Sequence, residues 1–401
     1  MTILTDELLA SFEDSTGDVN SSRILPPTLY TSEEFYEFEK EAVFSHDWLC
    51  VGRSSRIPNP GDYFCLTIVD EPLIVVRGKD GDIRVLSAVC QHRAMVVAED
   101  TGNCTKFTCP YHLWTYALDG RLLGAPAMER AEGFRKEDHR LGQLAAEEWQ
   151  GFIFANFDPD APPLAPTVSK VNEYARSFDL EHAVSPPTEL LDDLPWNWKV
   201  MFENFNDAYH ANRLHKGRHD FCPSENAEFT EWDDADNAVV RTNRFTHIDA
   251  GFNATGKALL PIWPGITEEE RWRVSFALVP PTLCMGFAPD EVFYFIVLPQ
   301  GPQSISIDIG YCFHPDAMKH PLFDLLLEES NEGVKIFNDQ DVYADKMVQR
   351  GLRSRFATRG RYSYQEETHR QFNRWLVQRY RKRWPGTGAR DESRRTMRVI
   401  A

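Results

Sequence analysis

The sequence lacks an excess of positive charge, a long apolar run and a regular spacing of cysteines. Its 401 residues include 43 Lys and Arg against 61 Asp and Glu, which gives a formal net charge of −18 at pH 7. Nucleic-acid binding requires a basic surface, so this balance argues against that class of partner. No apolar run approaches the roughly 20 residues of a membrane span, and the start of the chain lacks the basic, apolar pattern of a signal peptide. We therefore expect a cytoplasmic protein with no membrane contact.

Cysteine is also too sparse for a disulfide framework, because only eight occur in the chain and secreted disulfide-rich domains are short and dense in cysteine. Two of the eight belong to the motif described next. The other six stand mostly beside aromatic or aliphatic residues, so we expect buried free thiols in a reducing compartment. These six are Cys50, Cys65, Cys104, Cys222, Cys284 and Cys312.

Two short Cys/His pairs form the most informative motif, Cys90-Gln91-His92 and Cys109-Pro110-Tyr111-His112. Thiolate and imidazole together suit zinc or an iron–sulfur centre. In a zinc finger the two cysteines normally share one loop, whereas each loop here offers one sulfur and one nitrogen. That order is expected of a [2Fe–2S] cluster in which two His replace two Cys on one iron. The motif therefore favours this cluster, with structural zinc as the alternative.

The chain divides into three segments of different character. Residues 1–45 contain a polar start and an amphipathic helix, for which Thr31-Ser32-Glu33-Glu34 fits a capping box. Residues 46–160 contain short strands and turns, with a hairpin signal around Gly78-Lys-Asp-Gly81, and end at a proline-rich linker. Residues 161–401 mix helices with long strands. The sequence therefore predicts an α+β fold, in which a small antiparallel β domain is followed by a larger domain.

Periodicity predicts several elements of the larger segment. Residues 292–298 are apolar throughout, which is typical of a strand covered on both faces, whereas residues 304–309 alternate and predict a strand with one buried face. Residues 315–350 indicate one or two helices. The aromatic and basic stretch 372–384 predicts a C-terminal helix that packs at a subunit or partner surface.

A second possible metal site lies between Glu203 and His215. Asp207 and His210 are three residues apart and share a helix face. His210 and His215 are five apart, about 140° around an ideal helix, so they can bind one ion only if the helix ends or distorts between them. Two His and one more distant carboxylate form the facial triad of non-haem Fe(II) oxygenases. Taken alone, these residues favour an ordinary helix surface over a metal site.

The motifs together resemble the α subunit of the Rieske non-haem iron oxygenases. In that family a Cys-x-His-Arg pair and a Cys-Pro-Tyr-His pair precede an Asn-Trp-Lys segment and a Glu-Asn-x-x-(Asp/Glu)-x-Tyr-His-x4-His helix. This chain has Cys90-Gln-His-Arg93, Cys109-Pro-Tyr-His112, Asn197-Trp-Lys199 and Glu203–His215 in the same order. The similarity extends over nearly the whole chain. Ala94 is a departure, because the family often has Gly after His-Arg.

The resemblance implies the fold and the cluster ligands. It implies a small antiparallel β domain with a Rieske [2Fe–2S] cluster, and a catalytic domain of the helix-grip type, in which helices cover an antiparallel sheet. Cys90 and Cys109 would hold one iron of the cluster, while His92 and His112 would hold the outer iron that accepts the electron. Ligation by His raises the reduction potential above that of an all-Cys cluster.

The resemblance also implies ligands for a mononuclear Fe(II). These are His210, His215 and a carboxylate about eight residues before a Gln-Arg-Gly segment. Asp341 fits that register, and Asp339 and Asp345 are competitors. Alternatively, all three carboxylates bind no metal and lie exposed to solvent in the first turns of a helix, where negative charge is favourable.

Asp207 resembles the family's bridging carboxylate. In that role it would hydrogen-bond both His210 and the cluster ligand His112 of the partner subunit, and so connect the two metal sites. A bridge between subunits implies a cyclic homo-oligomer, and the resemblance favours a homotrimer.

The function implied is that of a terminal oxygenase, which uses O2 to hydroxylate or oxidatively demethylate a small organic substrate. The chain has no nicotinamide or flavin motif, so NAD(P)H would act only through a separate reductase or ferredoxin. The presence of Asp at position 207 slightly favours an aromatic substrate, and a quaternary ammonium compound is the alternative. A Rieske-type electron carrier and a zinc-stabilised binding protein are hypotheses of a different class. Candidates for the pocket wall are Phe202, Phe205, Phe221, Phe252, Trp263, Phe287 and Phe293.

Overall fold

A computed structural model describes residues 2–385. They form two compact units, one of Phe44–Pro162 and one in which the chain up to Val43 groups with Pro163–Trp384. The end of the predicted catalytic domain, residues 386–401, lies outside the described residues. No helix within residues 2–385 has the length and apolar character needed to cross a bilayer.

The smaller unit contains ten short strands in three antiparallel sheets. The strands are β1 (Leu49–Arg53), β2 (Asp62–Ile68), β3 (Glu71–Arg77), β4 (Ile83–Ser87), β5 (Thr101–Asn103), β6 (Phe107–Thr108), β7 (Thr115–Tyr116), β8 (Leu122–Gly124), β9 (Ala145–Trp149) and β10 (Phe152–Asn156). The sheet orders are β4-β3-β2-β5, β6-β7-β8 and β1-β10-β9. The predicted hairpin between β3 and β4 is confirmed, and Gly81 at its turn has a φ of +91°, a conformation that glycine adopts without strain.

The larger unit is built on one seven-stranded antiparallel sheet in the order β11-β17-β16-β15-β14-β13-β12. Its strands are β11 (Glu189–Leu194), β12 (Ala227–Phe229), β13 (Val239–Arg244), β14 (Arg273–Val279), β15 (Leu283–Phe287), β16 (Val292–Gly301) and β17 (Ser304–Cys312). Its helices are α1 (Asp6–Ser11), α2 (Glu33–Glu39), α3 (Ala165–Ala175), α4 (Trp198–Phe205), α5 (Ala208–Leu214), α6 (Phe323–Leu352) and α7 (Glu367–Arg383). The predicted α+β fold is confirmed.

Sequence periodicity predicted the burial of β16 correctly and that of β17 incorrectly. β16 is buried on both faces from Val292 to Leu298, as its apolar composition predicts. The prediction of one buried face for β17 is wrong, because the polar residues Ser306 and Asp308 are also buried. Ser306 Oγ donates a hydrogen bond to Asp192 of β11. A polar side chain can therefore be buried here because a neighbouring strand offers it a partner.

The Asn-Trp-Lys segment joins α4 to the N-terminal part of the same unit. Asn197 caps α4 by accepting a hydrogen bond from the amide of Lys199 at 3.0 Å. Lys199 Nζ lies 2.8 Å from Glu39 Oε1, and both side chains are fully buried. Trp198 Nε1 and the hydroxyl of Tyr380 donate to the same carboxylate. These residues are structural, and they fix the start of the helix that leads to His210.

Two helix predictions need correction. The N-cap of α2 is Ser32, whose Oγ accepts from the amide of Phe35 at 3.2 Å, and not Thr31. α7 forms where predicted, but its apolar face packs inside its own unit rather than at a subunit surface. Its Tyr380 ring contacts Phe12 and Phe35. The predicted helices in 315–350 are confirmed as one short turn followed by α6.

None of the eight cysteines, all of which lie within residues 2–385, forms a disulfide. Six are buried, whereas Cys65 and Cys104 are only half-buried, so the expectation of buried thiols is wrong for these two.

Candidate metal centres and active-site pocket

The two Cys/His loops of the smaller unit have the same backbone conformation. The amide of Ala94 donates to the carbonyl of Cys90, and the amide of Leu113 donates to the carbonyl of Cys109, both at 3.0 Å. The φ angles are +56° at Ala94 and +61° at Leu113. Residues other than Gly are uncommon in this left-handed region of backbone conformation. The family's frequent Gly at the position of Ala94 is therefore explained by the backbone.

The loops bring together the four residues expected to bind the cluster. Nδ1 of His92 lies 3.1 Å from Nδ1 of His112, close to the separation of two nitrogens bound to one metal by bonds of about 2 Å. Cys90 and Cys109 are each only 2 % exposed, whereas both His side chains are partly exposed. The two sulfurs are thus placed toward the interior and the two nitrogens toward the surface.

Tyr116 was not among the predicted site residues. Its hydroxyl lies 3.3 Å from Cys90 Sγ and accepts a hydrogen bond from the amide of Gln91 at 3.0 Å. The hydroxyl proton is therefore available to the sulfur. Burial and the neighbouring Cys90 sulfur raise the pKa of Tyr116, so the phenol keeps that proton. Hydrogen bonds to ligand sulfurs tune the potential of an iron–sulfur cluster.

The second candidate metal centre is formed by α5 and α6 of the larger unit. α5 ends at Leu214, so the backbone turns away from helical geometry at His215, as the five-residue spacing requires. The rings of His210 and His215 have centroids 5.1 Å apart. Within residues 2–385, the only group of three or more His, Cys, Asp or Glu whose ligand atoms lie within 4.8 Å of one another is His210, His215 and Asp341.

Asp341 contacts both imidazoles. Its Oδ1 lies 3.6 Å from Nε2 of His210 and 3.3 Å from Nε2 of His215. Of its competitors, Asp339 is exposed and pairs with Lys335 on the outer face of α6. Asp345 is buried one turn further along, where burial and the charge of Asp341 raise its pKa well above the usual range.

Each imidazole of the triad is held through its other nitrogen. His210 Nδ1 lies 3.1 Å from Asp207 Oδ2, and His215 Nδ1 lies 2.7 Å from Gln340 Oε1. Such partners fix the tautomer and the ring orientation of a metal-binding His. Burial raises the pKa of Asp207, but the hydrogen bond and charge of His210 outweigh it, so the pKa lies below the usual value. Asp207 is thus a carboxylate at neutral pH, and it also caps α5.

The triad opens into a pocket whose empty space, including its mouth, is about 830 Å³. The wall is mainly aromatic and aliphatic. Its aromatic members are Trp196, Phe205, Phe252, Phe276, Phe293, Phe295 and Phe337. An apolar wall with a few polar groups beside a metal-ligand cluster is the usual form of a small-molecule site.

Only part of the predicted aromatic wall lines this pocket. Phe205, Phe252 and Phe293 do so, whereas Phe202, Phe221, Trp263 and Phe287 are outside its lining. Phe202 stacks on Phe372, with centroids 5.5 Å apart, so it belongs to the core. The lining residues Phe276, Phe295 and Phe337 were missed because strand and helix periodicity does not indicate which side of a buried element faces a cavity.

Two polar residues of the lining also had no sequence signal. His219 Nδ1 lies 3.0 Å from the carbonyl oxygen of Cys222, which can only accept, so Nδ1 holds the proton. Burial and the neighbouring His215 lower the pKa of His219 to about 3. The neutral ring can therefore accept a hydrogen bond at Nε2. The other residue is Arg241, a cation buried in the pocket wall.

Comparison with known proteins matches both units to described families. Residues 47–137 match the Rieske [2Fe-2S] domain, and residues 173–382 match the ring hydroxylating alpha subunit (catalytic domain). The chain is 28 % identical over 353 residues to the carnitine monooxygenase oxygenase subunit of Acinetobacter pittii, covering 86 % of this chain and 89 % of that protein. It is 38 % identical over 198 residues to the biphenyl 2,3-dioxygenase subunit alpha of Rhodococcus jostii, covering 47 % and 42 %.

A solved structure shares the fold. Naphthalene 1,2-dioxygenase from Rhodococcus sp., bound to indole, superposes with a TM-score of 0.77 at 22 % identity, covering 94 % of this chain and 99 % of that one.

Proposed function

The chain belongs to the ring-hydroxylating α subunits of the Rieske non-haem iron oxygenases, and from this premise we propose which residues serve each step and which substrates it takes. Family membership makes the chain an iron-dependent terminal oxygenase. It uses a [2Fe–2S] cluster, a mononuclear iron and electrons from a separate reductase, and it forms multimers. Family membership therefore argues against the two other hypotheses, a Rieske-type electron carrier and a zinc-stabilised binding protein.

Cys90, His92, Cys109 and His112 are proposed to bind the cluster. The paired Nδ1 atoms and the two buried sulfurs fit this group. His210, His215 and Asp341 are proposed to bind the mononuclear iron, supported by their mutual distances and by the two partners that hold the imidazoles. When bound, the cluster stores one electron and the iron activates O2 at coordination positions that three protein ligands leave open.

The protein's own residues hold the iron ligands and shield the reaction. Asp207 and Gln340 orient the imidazoles, and Asn204 Nδ2 lies 3.3 Å from Asp341 Oδ1, which limits rotation of that carboxylate. The aromatic wall limits the water near the reacting atoms. Nε2 of His219 is placed to accept a hydrogen bond from a bound substrate.

The observation that carries the functional proposal is the triad itself, His210, His215 and Asp341, at the base of an aromatic pocket. We assign hydroxylation or oxidative demethylation of a small aromatic compound. Planar rings pack well between edge-on phenyl groups, and Phe252 makes such contacts with Phe276 and Phe293 at 6.0 and 5.6 Å.

A quaternary ammonium substrate is the second candidate. The similarity to a carnitine monooxygenase oxygenase subunit over most of both chains favours it. The same aromatic wall would hold such a cation through cation–π contacts.

We propose a homotrimer in which Asp207 bridges His210 and His112 of the partner subunit. Exposed apolar side chains support an interface at both ends of this bridge. Tyr111 and Leu113 flank His112 and are 53 % and 59 % exposed, and Tyr209 beside Asp207 is 40 % exposed.

Low-temperature EPR after anaerobic dithionite reduction, with iron and sulfide assays on the same sample, tests the function. We expect the rhombic signal of a His-ligated [2Fe–2S] cluster and about three irons and two sulfides per chain. O2 consumption that requires both a reductase and an aromatic or quaternary ammonium substrate would then identify the class. A colourless, EPR-silent protein containing zinc, in which cluster reconstitution restores no signal, would overturn the proposal.

A further inference from the structure

Arg241 is a buried cation in the pocket wall that forms no ion pair within the described part of the chain. It lies on β13, and only 3 % of it is exposed. Within residues 2–385 no carboxylate oxygen lies within 4.0 Å of its guanidinium nitrogens. Its one side-chain hydrogen bond there goes from Nη1 to Asn243 Oδ1, and its Nε is buried with no hydrogen-bond partner.

Burying a charge without a partner is costly. The guanidinium stacks on Phe276, with Cζ 3.9 Å from the ring centroid, and this contact offsets part of the cost. The cost is still large enough for burial to lower the pKa of Arg241 to about 10. Arg241 remains charged at neutral pH, and most of its donors remain unused.

The acidic groups of the pocket offset the burial of Arg241 only in part, through the charge of Asp207. Burial raises the pKa of Asp345, another lining residue, well above the usual range. Asp207 contacts His210 and caps α5, while Asp341 faces His210 and His215. Neither forms an ion pair with Arg241. Arg241 thus lines the same cavity as the proposed iron ligands.

We propose that Arg241 binds a carboxylate group of the substrate, so that the preferred substrate is a small organic acid. This assignment rests on the proposed function and narrows it. Guanidinium groups recognise carboxylates through paired, charge-assisted hydrogen bonds. The stack on Phe276 fixes the orientation of the planar guanidinium group and so the directions of its N–H donors. The carboxylate can belong to an aromatic acid or to a betaine whose cationic end contacts the aromatic wall.

Equilibrium binding tests this without turnover. Isothermal titration calorimetry on the anaerobic, iron-loaded full chain would compare benzoate with benzamide and L-carnitine with its carboxamide. Each pair differs in the anionic group alone. The wild type should bind at least one acid about tenfold or more tightly than its amide, and the pair that shows this identifies the source of the carboxylate.

Arg241→Gln should weaken binding of that acid by about 10- to 100-fold and leave amide binding within about twofold. Arg241→Lys keeps the charge without the planar fork and should retain part of the preference. Arg244→Gln is the matched control, because Arg244 lies at the end of the same strand but is exposed over Trp272. It should leave both affinities unchanged.

The assignment is overturned if the wild type prefers neither acid to its amide, or if Arg241→Gln binds the acid as tightly as the wild type does. Should Arg241→Gln fail to fold, as loss of the wild-type circular dichroism spectrum would show, Arg241→Lys and the wild-type pairs decide. A protein that prefers acids through Arg241 but takes up no iron would instead refute the oxygenase function and keep the anion site.

Discussion

His215 donates a hydrogen bond of 2.7 Å from Nδ1 to Oε1 of Gln340. The next residue of α6, Asp341, has its Oδ1 3.3 Å from the other nitrogen of the same ring. Two consecutive residues of one helix therefore fix both sides of one imidazole. This arrangement requires Nδ1 to hold the proton, because the amide oxygen can only accept, and it leaves the lone pair of Nε2 for a metal.

Gln340→Ala should weaken binding of the mononuclear iron about 10- to 100-fold, because the imidazole of His215 loses the partner that sets its tautomer and orientation. The cluster should be unaffected. Competition with a chelator, followed by iron assay, measures the change. Gln340→Glu keeps an acceptor at the same position and should restore the affinity. Asp339→Ala, on the exposed face of α6, is the control, and a loss of iron equal to that of Gln340→Ala would attribute the effect to the helix.

Asp341→Ala should abolish turnover and remove the mononuclear iron while sparing the cluster, so that iron falls from about three to about two per chain. Asp345→Asn is the comparison variant, because Asp345 lines the same pocket one turn further along α6. It should retain the iron, since the geometry places Asp341, not Asp345, against both imidazoles. Full activity and full iron content in Asp341→Ala would refute the ligand assignment.

Local motifs made much of the fold predictable and supplied most of the candidate metal-binding residues. The Cys/His loops, the spacing of His210 and His215, and the glycine turn between β3 and β4 are local, because the residues involved are close in sequence. The register that selected Asp341 came from the resemblance to the family, in which a carboxylate precedes a Gln-Arg-Gly segment. The structure adds the reason for the family's frequent Gly at the position of Ala94, which is a left-handed backbone that glycine adopts with less strain.

The rest depends on contacts between distant parts of the chain. Arg241, Phe276 and Phe295 reach the pocket because β13, β14 and β16 belong to one sheet, and no spacing along one strand reveals this. The burial of Asp308 and the packing of α7 in its own unit likewise depend on which elements cover them. Alternation of polar and apolar residues predicted one exposed face for β17, and the tertiary cover overrode that local pattern.

Stability should fall as the pH rises toward 9, and Glu291 should be one cause. Glu291 is buried, with Ser330 Oγ 2.8 Å from its Oε2, and burial together with Asp290 raises the pKa of Glu291 to about 8. A carboxyl whose pKa is raised by folding stabilises the fold fully below its ordinary pKa of 4.5. That contribution is lost as the pH rises through about 8. The denaturation midpoint in urea should therefore be lower at pH 9 than at pH 6.

Glu291→Gln should reduce this difference between pH 6 and pH 9, because the amide cannot ionise. Glu269→Gln removes a carboxylate that is 71 % exposed and pairs with Arg273, and it should leave the pH dependence unchanged. An equal loss of stability at pH 9 in Glu291→Gln and in the wild type would show that another group is responsible.

Asp207 has two separable roles, and its substitutions should distinguish them. With iron supplied in excess to offset the weaker hold on His210, Asp207→Ala should keep both metal sites and lose rapid electron transfer between them. It also removes the cap of α5, which costs about 1 kcal/mol. Asp207→Asn retains a side-chain oxygen for the cap and lacks the charge that His210 and the proposed His112 of the partner subunit would share. We expect Asp207→Asn to restore the lost stability but not the electron transfer. Stopped-flow oxidation of the pre-reduced cluster in a single turnover with O2 measures the rate. Fast oxidation in both variants would exclude the bridge, whereas slow oxidation in Asp207→Ala alone would mean that only the cap matters.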